Sequence, residues 1–182
     1  MQLFQKVQMA SEDVKSYLGT GVFYKENVEA PIHDGAVVVM GDLVDHDAYA
    51  GMKDINTRKL TAPKAVTDKV VFVDYVGVSQ ADVMGVTYRI GDKTAGLSAV
   101  AGEKVRYRVP KEGDEFWLGA DNFKTPPTVG QFAAPTANET VLTVSSSATQ
   151  GATCLKIETT KNLITGAVND GIMYYCRVVS EA

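Results

Sequence analysis

Between residues 105 and 118 the chain alternates, breaks and alternates again. Val105-Arg106-Tyr107-Arg108-Val109 places apolar residues at every second position, residues 110–113 interrupt with a proline and a glycine, and Asp114-Glu115-Phe116-Trp117-Leu118 resumes the alternation. A period of two sends successive side chains to opposite faces, so this stretch predicts two short antiparallel strands around a turn. Residues 69–78 (Lys-Val-Val-Phe-Val-Asp-Tyr-Val-Gly-Val) form the strongest β segment, rich in branched and aromatic side chains, and predict a central strand. Residues 36–40 are wholly apolar and end at Gly41-Asp42, which predicts a short buried strand entering a turn, with a loop over 42–51. Further runs lie at 86–90, 104–109, 115–118, 128–133, 140–145, 153–158 and 172–179. Turn residues separate them and no long helical period intervenes. The expected fold is therefore mainly β, an antiparallel barrel or sandwich rather than a parallel α/β sheet.

The N-terminus departs from this period. Leu3, Phe4, Val7, Val14, Tyr17 and Leu18 fall at roughly helical spacing, with Ser11-Glu12-Asp13 as a candidate cap. Residues 1–20 are read as a short helix or arm, packed on its own domain or ordered by a partner. Residues 21–182 are read as one β-rich domain, with a soft boundary near 99–102.

Composition narrows the function. The chain has 182 residues, enough for one ordinary domain or two small ones, with 45% hydrophobic and 22% charged residues. Its 18 basic and 22 acidic side chains leave a net charge of −4, which repels phosphate backbones and argues against a direct nucleic-acid partner. The densest basic group, Arg106, Arg108 and Lys111, reads as a solvated strand face. Cys154 and Cys176 both sit in apolar runs, which predicts two buried free thiols and assembly in a reducing cytoplasm. Residues 1–10 lack the apolar core of a signal peptide, and no window nears 18 apolar residues, so no membrane partner is expected.

Candidate chemistry is sparse. Asp42, Asp45, His46 and Asp47 are the densest group of metal-ligand types, but they lack the alternating acids, central glycine and terminal glutamate of a calcium loop. They read as a solvated acidic loop. His33 and His46, the only histidines, have no zinc-binding spacing. No Gly-x-Ser-x-Gly elbow and no phosphate-cradling loop is present, so no catalytic, cofactor or metal site is expected and the chain is read as a non-enzyme. Asn138-Glu139-Thr140 matches a glycosylation acceptor, which has no meaning without export. Phe116 and Trp117 point to opposite faces of one strand. One should be core and the other surface or interface, unless both belong to two layers of a single core.

The stretch over residues 105–134, running through Gly-Asp-Glu-Phe-Trp-Leu-Gly and on to Thr-Val-Gly-Gln-Phe-Ala-Ala-Pro, resembles capsid decoration (cement) and related head proteins of tailed bacteriophages. There a Gly-Asp turn leads into an apolar strand, then a Val-Gly strand and a closing β segment, here 155–179. Gly166-Ala167-Val168-Asn169-Asp170-Gly171 and Tyr174-Tyr175-Cys176-Arg177-Val178-Val179 fit the same pattern. The resemblance implies a small β-rich protein made in the host cytoplasm that binds the outer surface of an assembled capsid. Its partners would be the major capsid protein and its own copies, commonly as a trimer, and it would reinforce the shell against internal pressure. The interface candidates are Leu3, Phe4 and Val7 in the arm, with Phe116, Trp117 and Phe123 in the β region. Two rival readings remain. A tail-tube or head–tail connector subunit would carry an exposed strand edge that pairs between subunits. A carbohydrate-binding β module would present an aromatic platform, for which Trp117, Tyr24 and Tyr49 are the candidates.

Overall fold

The computed structural model describes residues 4–10, 14, 17–45, 51–75, 78–83, 86–91, 98–165 and 168–182, with backbone alone at 78–83, 86–91, 163–165 and 168–170. The described chain is mainly β, in two packed layers, with strands numbered here in chain order.

The first layer is a barrel. It comprises β2 (Leu18–Lys25), β5 (Val37–Asp45), β6 (Lys53–Thr61), β7 (Val70–Asp74) and β11 (Val105–Arg108). β2 pairs in parallel with β6, β6 pairs with β5, β5 with β7 and β7 with β11, all antiparallel; β11 then returns to β2 and closes the ring. β3 (Val28–Glu29) folds back on β2 through Glu26 and Asn27, whose φ values of 52° and 66° suit a tight two-residue hairpin. β4 (Ile32–His33) pairs with β10 (Ser98–Ala99). Val38, Leu60, Val71, Val73, Val105 and Tyr107 share the buried cluster of this layer.

So small a barrel has little room for side chains from every strand, and β2 yields the space. A Cβ on Gly19 would lie 2.3 Å from the Tyr107 ring, and one on Gly21 would lie 2.5 Å from Leu60. Register sets Gly19 directly opposite Tyr107, so the ring covers the bare backbone of its cross-strand neighbour.

The second layer is a six-stranded antiparallel sheet in the order β1-β12-β16-β15-β13-β14. Its strands are β1 (Phe4–Gln8), β12 (Glu115–Gly119), β13 (Phe132–Pro135), β14 (Leu142–Ser145), β15 (Cys154–Thr165) and β16 (Val168–Ser180). Val37, Val70 and Phe72 of the barrel join Phe116, Leu118, Leu155, Ile157, Tyr174 and Cys176 of the sheet in one buried cluster. Phe4, Phe72 and Phe116 meet at its centre, with ring centroids 5.0 to 6.2 Å apart, each from a different strand.

β7 is buried at all five positions. Val71 and Val73 belong to the barrel cluster while Val70 and Phe72 belong to the cluster between the layers, which is why this segment reads as an unbroken apolar run. A remaining hairpin joins β8 (Val78–Val83) to β9 (Val86–Gly91), and among the described residues these two strands pair only with each other.

Three expectations are corrected. Residues 4–8 are a strand, not a helix, because Phe4 reaches the aromatic cluster while the backbone pairs with β12. The described part of the expected arm is thus docked on its own chain. The loop expected over 42–51 begins later, since β5 continues to Asp45 with Leu43 facing Arg58 and Asp45 facing Lys53. Arg106 and Arg108 do not form a solvated face: both reach the Asp74 carboxylate, at 2.8 and 2.6 Å, and Arg108 is buried with it. Ala99 packs in the barrel cluster, and the chain passes from barrel to sheet between Arg108 and Glu115.

Candidate interaction surfaces

Of the six interface candidates, Phe4, Phe116 and Phe123 are at most 5% exposed and belong to the cluster between the layers, so their apolar surface is already used within the chain. Leu3 lies outside the described residues. Val7 is 47% exposed on the edge strand β1. Trp117 is half-buried on the face of β12 opposite Phe116, which matches the alternation of the sequence.

Trp117 stands in a small cluster of its own. Its ring lies 5.0 Å from Tyr175, its register partner on β16, tilted by 54°. The Lys161 ammonium sits 4.1 Å from its centroid and also donates to the Gln5 side chain at 3.2 Å. The Tyr175 hydroxyl donates to Glu115, and the carboxylate beside it raises the phenol's pKa. The ring face that a sugar would stack on is therefore already engaged by a lysine of the same chain. Tyr24 lies on the barrel rather than on this sheet, its hydroxyl on Glu29 and Lys59 over its ring. Tyr49 lies outside the described residues, so the three platform candidates are not brought together.

Of the acidic loop candidates, Asp42 and Asp45 lie on β5. Asp45 contacts Lys53 and Lys59, and the bond from Lys53 holds its carboxyl below the usual range. His46 and Asp47 lie outside the described residues. The His33 ring is 2.7 Å from the Ser98 hydroxyl. Among the described residues no group of three or more His, Cys, Asp or Glu side chains comes together as metal ligands, and no helix is long and apolar enough to cross a membrane. Cys154 and Cys176 are free and buried, and burial raises both thiol pKa values. A cleft of about 1010 Å³ opens between the β2–β3 hairpin and residues 138–141, lined by Phe23, Pro31, Ile32 and Val141 with Lys25 and Glu139.

The sheet's two edges are blunted. β1 carries Lys6 and a register shift beside it, and the outer side of β14 is bridged by Phe123, with the Lys124 N–H donating to the Leu142 carbonyl at 2.8 Å. The barrel, being closed, presents no such edge along its five described strands.

What extends outward instead is a set of two-stranded ribbons. β8 and β9 form one. β5 and β6 run past their neighbours over residues 41–45 and 53–56, and β15 and β16 do the same over 162–165 and 168–172. Ile55 is 79% exposed on the second ribbon and Ile172 is 44% exposed on the third, with Met52 exposed beside the second. In the β8–β9 ribbon the register puts Ala81 opposite Tyr88, Val83 opposite Val86 and Ser79 opposite Ile90.

Two buried carboxylates missed in the sequence hold the N-terminal segment. Asp34 accepts the Phe4 and Tyr75 N–H groups, each at 2.9 Å, while its carbonyl accepts the Asn122 amide. Asp114 accepts the Ala10 N–H at 2.7 Å and the Lys111 N–H at 2.9 Å, and burial raises its pKa. Gly-Asp turn chemistry marked Asp114 as a turn residue; only the fold reveals what it anchors. The chain matches no family model, no curated protein and no solved structure.

Proposed function

We propose that this chain is a structural protein of a tailed-bacteriophage head, binding the outside of the assembled capsid as a decoration subunit. The reading is supported most by the ribbons. A lone two-stranded ribbon such as β8–β9 is marginal in water, and the β5–β6 and β15–β16 ribbons carry the exposed isoleucines Ile55 and Ile172 where a self-contained protein would place polar residues. Their natural complement is a neighbouring subunit. The major capsid protein and further copies of this chain are the partners, and the capsid surface is the place of action.

Reinforcement of this kind needs no chemistry: apolar area covered between neighbours holds the shell. The blunted sheet edges favour a decoration subunit over a tail-tube or connector subunit, which would use such an edge to pair between copies.

Mixing the purified chain with capsid-like particles and imaging them tests the reading. Regular coating of the shells, reduced at least tenfold by Ile55→Asp together with Ile172→Asp, is the expected result. Spontaneous rings or tubes without shells would replace it with the tail or connector reading. A monomer indifferent to shells would remove both.

A further inference from the structure

We infer that the slot occupied by β1 is a strand-exchange site, in which Phe4–Gln8 of one copy takes the place of the same segment in a second copy. The slot recognises mainly backbone. β12 pairs with the strand along its length, the Asp34 carboxylate receives the N–H of Phe4, and the Asp114 carboxylate receives the N–H of Ala10 just beyond it. Phe4 is fully buried between Phe72 and Phe116, while Gln5, which accepts from Lys161, and Lys6, Val7 and Gln8 are exposed. Register is thus locked by Phe4, by Met9 just beyond the strand, which is buried in the same cluster, and by two fixed acceptors, so an incoming segment has to supply an aromatic at its start and a second apolar side chain five residues on.

The strand's place in the sheet allows exchange. Among the described strands β1 is an edge paired with β12 alone, so it can leave without breaking another ladder. Met9 and Ala10 are seated with the strand, so seven residues, 11–17, join it to β2, enough to span about 23 Å when extended. The partner is a second copy because that copy carries the identical segment. The hydrogen bonds and packing that break within one chain re-form between two, so exchange costs little beyond association itself. The inference goes beyond the capsid reading and does not depend on it, since it concerns the purified chain alone.

Cross-linking tests it. Gln8 and Glu115 are register partners, and both can be replaced without touching the core. One preparation carries Gln8→Cys and an affinity tag; the other carries Glu115→Cys. Native Cys154 and Cys176 are buried and stay silent under mild oxidation. The two are unfolded together, refolded at a series of concentrations and oxidised, and the linked peptides are identified by mass spectrometry. Exchange gives a disulfide between residues 8 and 115 of different chains, rising about tenfold for each tenfold concentration in the dilute range. Adding Phe4→Ala to the tagged chain should remove most of it. Absence of the cross-chain link at every concentration overturns the inference, with a control chain that carries both Gln8→Cys and Glu115→Cys and links within itself showing that the pair can be oxidised. A link that survives Phe4→Ala undiminished overturns it too, as that would be collision and not seating of the strand.

Discussion

At the scale of single residues, the tightest constraints are where a side chain is missing. Gly21 has Leu60 and the Arg58 carbonyl where a Cβ would go, at 2.5 and 2.8 Å. Gly21→Ala should cost about 1–3 kcal/mol in denaturant unfolding, because the closed ring leaves β2 no direction in which to retreat. The two thiols give a second prediction. Cys154 and Cys176 are fully buried with raised pKa values, so neither should react with a thiol reagent at mildly alkaline pH until the protein unfolds. Rapid native labelling of either would contradict their burial. The third concerns Asp114, whose pKa burial raises in the folded state. A raised folded pKa favours the native state below the unfolded pKa, and that contribution is lost as pH rises through the folded value. Asp114→Asn should therefore flatten the fall in stability as pH rises above the ordinary carboxylate range of about 4, relative to the parent. Equal slopes in the two proteins would exclude Asp114 as a source of pH dependence.

At the scale of elements, strands whose two faces meet different surroundings were legible, and those whose ends lie free were not. The alternation over 105–109 and 114–118 corresponds to β11 and β12, because each has one face in a core. The N-terminal spacing misled, since Phe4 and Val7 stand three apart as in a helix while the backbone is extended and only Phe4 is buried. No local propensity opposes a strand there, and pairing with β12 decides it. The overrun of β5 into the acidic loop was hidden for a like reason: exposed polar residues in a ribbon look like a loop. The β8–β9 ribbon carries its own prediction. Replacing residues 78–91 with a short Gly/Ser linker should leave the thermal midpoint within about 2 °C, since the ribbon pairs with no other described strand, yet abolish coating of shells. A collapse of stability would make the ribbon part of the fold.

At the scale of the whole molecule, the two layers share Phe72, which the barrel supplies and the sheet covers. Phe72→Ala should cost about 3–5 kcal/mol and lower a single cooperative transition, not separate two, as followed by calorimetry. What the amino-acid sequence determined by itself was the mainly β class, the approximate strand positions and the burial of both cysteines, because periods of two and branched apolar runs are local properties. Only tertiary structure decided that β11 returns to β2 to close a barrel, and that Arg106 and Arg108 converge on one buried aspartate. It also decided that three of the six expected interface residues are core and that Asp34 and Asp114 hold a strand far away in sequence. Whether an aromatic on a strand faces a neighbouring layer or solvent depends on what folds against it, and that partner can lie a hundred residues along the chain.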